Sequence, residues 1–414
     1  MKKIGWNWLL IVSGLLFSLP AFAQQTWERT YGGPGNDEGR YAQQTTDGGY
    51  IITGGTTSLG YGYHVYLIKT DSSGDTLWTR IYGGDESFGT SVQQTTDGGY
   101  IVAGYTFHFG SNEVYLIKTN TFGDTLWTKT YGGTGTDLGF SVQQTSDGGY
   151  IVAGQTTSFG NSVQVYLIKT NASGDSLWTR TYGGINWDEG WFVKQTSDSG
   201  YIVAGRSSSF GNSEQVYLIK TDASGDTLWT RNFGGGGDEQ GRTVQQTPDG
   251  GYIIAGTTNS FGYPYQVYLI KTNASGIILW AKTYGWLGRD EGYSVQQTTD
   301  GGYIVAGATT SFGDSSQVYL IKTDANGNSG VEEDSPGRIK PPTSNLYYSV
   351  VPNPFSSFAS VPGHSSERFA LYDVSGRKVG SYMGDRIGFD LSAGIYFLKP
   401  KSKDAKPLRL VKLR

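Results

Sequence analysis

Three histidines, His64, His108 and His364, are all the imidazole this chain carries, and no spacing among them makes a metal motif. There is no cysteine, so disulfides, thiolate catalysis and zinc–thiolate sites are excluded. No G-x-S-x-G elbow, P-loop or HExxH is present. Carboxylates recur instead, at Asp37-Glu38, Asp85-Glu86, Asp137, Asp188-Glu189, Asp238-Glu239 and Asp290-Glu291, mostly ahead of glycine. Asp37, Asp85, Asp137, Asp188, Asp238 and Asp290 could serve as hard oxygen ligands for Ca²⁺ or another cation. The alternative is an Asp bonding its own turn backbone. Repetition in every copy favours the turn.

Aromatic side chains give a second kind of chemistry. Tyr61, Tyr63, Phe88, Trp187, Trp191, Tyr263, Tyr265, Trp286 and Tyr293 lie in loops where otherwise similar segments diverge. Rings on variable loops can stack on a sugar or anchor a peptide; otherwise they pack on neighbouring sheets. The recurrent Phe109, Phe159, Phe210, Phe261 and Phe312 read as packing.

What positions these residues is a repeat. DGGYIVAG, a variable stretch, VYLIKT, a turn and LW recur, with anchors Tyr50, Tyr100, Tyr150, Tyr201, Tyr252 and Tyr303 spaced 50, 50, 51, 51 and 51 residues apart. The chain has 414 residues, 63 of them Gly, with 14 % aromatics, a composition of short strands, tight turns and rings between sheets. The second copy predicts strands over 91–95, 100–106, 114–119 and 126–131, broken by turn residues. VYLIKT is apolar on both faces and so is buried on both, which a β-propeller supplies. The sixth copy lacks the LW strand, and an orphan one, Trp27–Gly33, opens the chain. The expectation is an all-β, six-bladed β-propeller of four-stranded blades over 24–324, closed by that N-terminal strand. An open β-solenoid is the alternative, although its coils are shorter. The Lys of VYLIKT and the basic residue two after each Trp read as structural, stacking on rings or pairing with turn carboxylates. Net charge is −4, so no nucleic-acid partner is expected.

The glycine doublet with Tyr and a later Trp resembles the kelch repeat, and Asp71–Trp78 is similar to the turn of quinoprotein-type blades. That turn also approaches the sialidase Asp-box, with a longer Asp-to-Trp spacing. These resemblances imply a fold and carry no activity.

The two ends read differently. Residues 1–23 have a charged start, an apolar run from Trp6 to Leu19 and Ala21-Phe22-Ala23, the pattern of a secretory signal peptide; the apolar run is short for a transmembrane anchor. Residues 325–345 are linker-like, and 346–414 read as a small immunoglobulin-like β-sandwich with strands at 369–374 and 395–399. That segment has eleven Lys or Arg against five Asp or Glu. Val351–Phe355, Leu371–Val379, Asp390–Phe397 and the tail Leu408–Arg414 resemble the C-terminal sorting domain of the type IX secretion system of Bacteroidota, although Asp390–Gly394 is short. The resemblance implies export through that machinery, loss of this domain, and release or attachment at the outer-membrane surface.

The functional expectation is a secreted, monomeric, non-enzymatic binding or adhesion module for a glycan or protein ligand. The alternative is a polysaccharide hydrolase or lyase. An enzyme needs unlike polar residues at one funnel, and the copies read as carrying near-identical ones.

Overall fold

The computed structural model describes residues 27–58, 60, 62–84, 86–108, 110–261, 264–311, 315–329, 359–361, 368–373, 377–384, 386–388, 390–399 and 408–412. The signal-peptide reading, most of the linker, Val351–Phe355, Asp85, Tyr61, Tyr263, Phe109 and Phe312 lie outside them. The chain divides into two compact bodies, residues 1–181 and 182–414. The first holds three four-stranded antiparallel sheets; the second holds two more, a three-stranded sheet, and a four-stranded sheet near the C-terminus. The described residues are all-β, without helices, and such serial antiparallel sheets are those of a propeller-type repeat.

Each repeat sheet is built in chain order. In the second repeat the strands are Ser87–Gln94, Tyr100–His108, Ser111–Thr119 and Thr125–Tyr131. The first begins four residues before its expected start because a β-bulge at Thr90 interrupts the ladder between Gly89 and Ser91 and hides the strand's alternation. The VYLIKT strand is buried on both faces: Val114, Leu116 and Ile117 are fully inaccessible. Val114 and Leu116 pack with Ile101, Val142 and Tyr150 of this and the next sheet, and Ile117 packs on the other face with Tyr100, Val102 and Leu67 of this and the preceding sheet.

The DGG turn is held by a buried cation. Lys69, its side chain 4 % exposed, reaches Asp47 at 2.9 Å and donates to the Thr70 carbonyl. Asp47 also accepts from Thr45 Oγ1 and the Gly49 N–H. A buried ammonium needs such partners, and the pair recurs at Lys118–Asp97, Lys169–Asp147, Lys220–Asp198, Lys271–Asp249 and Lys322–Asp300. Gly49 is required by close approach, since a Cβ there would lie 2.1 Å from the Thr70 carbonyl oxygen. Gly48 sits at φ 84°. The fourth repeat has Ser199 at that place, at φ 66°, the left-handed region that an L side chain adopts at a cost.

Trp78, Trp127, Trp229 and Trp280 dock on the sheet that follows within their own body. Trp78 meets the Tyr100 ring edge-on at 5.7 Å, Arg80 lies over Trp78 and bonds Asp124, and the Tyr82 hydroxyl donates to the Gly123 carbonyl. The recurrent Phe159, Phe210 and Phe261 are about half-exposed, leaning on Tyr166, Tyr217 and Tyr268 rather than buried.

Two expectations need correction. Trp27–Gly33 forms no strand, and the last repeat sheet, Asp290–Gln297, Tyr303–Thr309 and Gln317–Thr323, has three strands. Its outer strand leaves Val318 and Leu320 exposed. The side chains of the orphan segment are nonetheless placed. Trp27 packs on Tyr50 and donates to Ser72, Arg29 bonds Asp75, and the Tyr31 hydroxyl donates to Gly74. These anchors are met without a ladder, so side-chain docking alone does not impose pairing. At the C-terminus, the described residues form one sheet and a single bridge, Ala359–Ile387, around Phe369, Leu371, Leu398 and Leu410; a second sheet of the expected sandwich is not seen among them. Its strands include Arg368–Asp373 and Gly394–Lys399, close to those expected.

The turn pairs predict acid sensitivity. The bond from Lys69, with those from Thr45 and Gly49, lowers Asp47 to about 2. For Asp147 and Asp249 burial opposes ionisation, but the bonds from lysine, threonine and glycine outweigh it, again giving about 2. An unfolded Asp titrates near about 3.9. A depressed folded value means the stabilisation is present above the unfolded value and is lost as pH falls through the folded one. The melting temperature should therefore drop between about pH 4 and about pH 2, and Asp249→Asn should lessen that drop. A flat profile across that window would contradict the role given to these pairs. In the fourth repeat, Ser199→Gly should raise stability by about 1 kcal/mol, read from the midpoint of denaturant unfolding.

Candidate functional site: an arginine–aromatic–carboxylate cluster

The β-bulge of the first strand is where the repeats differ. The bulged residue stands outside the Cα pairing at Arg40, Thr90, Phe140, Trp191, Arg242 and Tyr293. A bulge re-aims one side chain without disturbing the ladder on either side. Two residues earlier stand Glu38, Phe88, Leu138, Glu189, Gln240 and Glu291, and opposite these Gly55, Tyr105, Gln155, Arg206, Thr257 and Ala308. The two positions on the first strand touch each other: Arg242 Nη2 donates to Gln240 Oε1 at 2.9 Å and the Tyr293 hydroxyl to Glu291 Oε2 at 2.7 Å.

In the second body these positions join into a cluster spread over three sheets. Arg206 is its hub. Its Nε reaches Glu189 and its Nη1 Glu214, each at 2.5 Å, and its guanidinium lies over the rings of Trp187 at 5.6 Å and Trp191 at 5.3 Å. Glu214 also accepts from Gln240. Arg242 lies over the other ring system more closely, 4.2 Å from the Trp191 centroid. Farther along, Arg289 donates to Glu291 at 2.8 Å and lies 4.7 Å from the Tyr265 centroid. Trp187 and Tyr293 remain 48 % and 47 % exposed, so both offer ring surface to solvent; Trp191, Arg242 and Tyr265 are half-buried.

The electrostatics divide the three guanidinium groups. Burial opposes the charge on Arg206, but Glu189 and Glu214 outweigh it and its pKa rises. The Arg289 pKa is raised by its bond to Glu291. The Arg242 pKa is lowered, because desolvation outweighs the more distant Glu291 and Glu189. Glu291 is held below the usual carboxylate range, since bonds from Arg289 and Tyr293 overcome its burial.

The expected ring surface is thus partly present. Trp187, Trp191, Tyr265 and Tyr293 fall within one charged cluster. Trp286 is half-buried and its backbone N–H donates to Asp290 and Ser311; no contact of its ring to the cluster is seen among the described residues. Tyr63 belongs to a separate group in the first body, donating to Glu38 at 3.0 Å and meeting Phe88 edge-on. Phe88 is 6 % exposed, which corrects its reading as a surface ring: Arg40, Tyr63 and Tyr105 cover it.

The recurrent acids act as turn staples. Asp137 accepts from the Gly133 N–H and Ser158, Asp188 from Gly184 and Ser209, and Asp290 from Trp286 and Ser311. Asp37 does the same with Gly33 and Ser58. In the fifth repeat Glu239, not Asp238, takes this place, accepting from Gly235 and Thr258; Asp238 accepts from the Glu214 backbone. In the second, Ser87 bonds Thr106 there. No three acidic or histidine side chains converge as metal ligands among the described residues.

Sequence reasoning passed over Arg206, Glu214, Gln240, Arg242 and Arg289, and read Glu291 only as one of the recurrent loop acids. The signal was available: aligning the six copies on Gly39, Gly89, Gly139, Gly190, Gly241 and Gly292 shows a next residue that is never repeated except as arginine. The supposition that polar residues are near-identical in all copies is corrected at these positions. Arg206→Ala should leave the buried Glu189 without its cation and destabilise the chain by about 3 kcal/mol. Replacing both by Gln should cost less than the single change, as a double-mutant cycle in denaturant would show.

No family model matches this sequence, and no curated protein matches it. Among solved structures, the chain is similar to the Pan2 WD40 domain of Neurospora crassa (12 % identity, 69 % of this chain and 79 % of that one, TM-score 0.43). It is similar to Sqt1 from Chaetomium thermophilum (11 % identity, 91 % and 97 %, TM-score 0.42). A third is a putative exo-beta-1,3-galactanase from Bifidobacterium bifidum (16 % identity, 65 % and 97 %, TM-score 0.35). Likeness at this level transfers neither ligand nor activity to this chain.

Proposed function

We propose that this protein is a non-enzymatic binding module, and that the arginine–aromatic cluster of repeats four to six receives its ligand. One observation carries this reading: on a scaffold otherwise repeated six times, the bulge positions hold unlike residues, and in three sheets these assemble around Arg206. Exposed ring faces beside fixed donors and acceptors make a recognition surface. Binding is favoured over hydrolysis because Glu189, Glu214 and Glu291 are each bonded by arginine. A general acid instead needs surroundings that keep its proton on.

The same proposal includes a six-bladed propeller, one blade for each copy of the repeat, and export to the cell surface. The latter rests on the basic C-terminal segment that resembles a type IX sorting domain. The expected route is secretion, outer-membrane passage and loss of residues 346–414, leaving a released or surface-held monomer.

A glycan and peptide array probed with the full chain tests the binding reading. Trp187→Ala should weaken any ligand found by about 1–3 kcal/mol with an unchanged melting temperature. Retention of full affinity by that variant would place binding elsewhere. For export, a chain ending at Asp324 should fail to reach the surface of a host with type IX machinery; normal delivery would refute the sorting role.

A further inference from the structure

Arg242 is set apart from the other two cluster arginines. Arg206 has Glu189 and Glu214, and Arg289 has Glu291. Among the described residues no carboxylate lies within ion-pair distance of Arg242, and its one hydrogen-bond acceptor is the neutral Gln240 amide. Its Nε–H is buried and meets no acceptor among the described residues. A buried donor on a charged group without an acceptor is uncommon and costly, and it marks where an acceptor is missing. The guanidinium lies over the Trp191 ring, 4.2 Å from its centroid, a stacking that suits its planar fork.

We propose that Arg242 takes the carboxylate of an acidic sugar, a uronate residue of a polysaccharide, whose ring lies against the exposed aromatic surface. This rests on the binding reading above and names its ligand class. Three features select it. The uncompensated guanidinium matches one carboxylate in a bidentate pair. The exposed faces of Trp187 and Tyr293 match the C–H face of a pyranose. The oxygens of Glu189, Glu214 and Glu291 accept hydroxyl donors, which a sugar has and an acidic peptide side chain lacks. The lowered pKa of Arg242 fits the same picture, because its charge is desolvated without a paired anion. The three glutamates confine the site to one carboxylate at a time, since a denser polyanion would meet like charge.

Calorimetric titration of the full chain with trigalacturonate, its methyl ester and a short polyglutamate peptide tests this. Trigalacturonate should bind at least about tenfold more tightly than the ester, the worth of one charge-assisted bond, with affinity falling as salt rises. Arg242→Gln should abolish that preference, bringing the affinity for the acid down to that for the ester. Trp187→Ala should weaken both sugars. Arg40→Gln, at the same bulge in the first repeat, should change neither. Arg242→Lys, which keeps the charge and loses the fork, should recover only part of the preference, and near-ultraviolet circular dichroism would verify that each variant is folded. Equal binding of acid and ester, or an unchanged preference in folded Arg242→Gln, overturns the carboxylate assignment while binding at the cluster stands. Tighter binding of polyglutamate overturns the sugar. Binding of none of the three, or binding indifferent to Trp187→Ala, removes the cluster as the site and this inference with it.

Discussion

A buried lysine ammonium is the constraint around which the first five repeats are arranged; its sixth counterpart, Lys322, makes the same bonds but is 45 % exposed. The buried side chain runs inside the sheet, where an unpaired charge would be prohibitive, so three things must converge on it. The third strand's own carbonyl comes at Thr70, the turn carboxylate at Asp47, and both need a glycine small enough to let backbone and ammonium close. The convergence fixes the register of the second strand against the third. With it come the alignment of Tyr50 and its counterparts and the seat for the preceding Trp ring. The phrase DGGY…VYLIKT is therefore one polar construction written in two separated pieces. Its repetition follows from every sheet needing the same solution.

A scaffold so determined leaves few positions at liberty, and the first-strand bulge is one. The ladder needs only that the chain rejoin its partner after the extra residue, so the identity of that residue is unconstrained by pairing. Arg, Thr, Phe, Trp, Arg and Tyr can follow one another there without cost to the sheet. The second-strand residue opposite, and the one two places before, are free in the same sense. In the first body these freedoms are spent on closing a surface: Arg40 pairs with Glu38 and covers Phe88. In the second they leave ring faces open and one guanidinium without an anion. The contrast between two clusters at equivalent places supports assigning recognition to the second.

The acidic residues beside the bulge illustrate the opposite case. Asp137, Asp188 and Asp290 look like a set of ligands when aligned, yet each is turned back onto its own loop, accepting from the residue four before it and a serine twenty-one after it. The substitution of Glu239 one place later shows that the loop asks for an acceptor at a point in space, not for an Asp at a sequence position.

The sequence by itself determined the unit of structure: its length, its turns, the strand buried on both faces, the Trp seat and the structural role of the repeated lysine. Periodic constraints are local or nearest-neighbour, and repetition averages away accidents. It also singled out Trp187, Trp191, Tyr265 and Tyr293 as rings unexplained by the repeat. Tertiary structure alone decided which of those rings share a site, because residues fifty apart in sequence become neighbours only when sheets pack. It also decided which arginine is paired and which is not. Arg206 and Arg242 are each the single basic residue of their strands, YIVAGRS and EQGRTVQQ; only the distances to Glu189, Glu214 and Gln240 show which is paired. The pairing of Trp27–Gly33 belongs to the same class, since matching counts at the two ends of a chain specify a possible partner and not the approach that would bring them together.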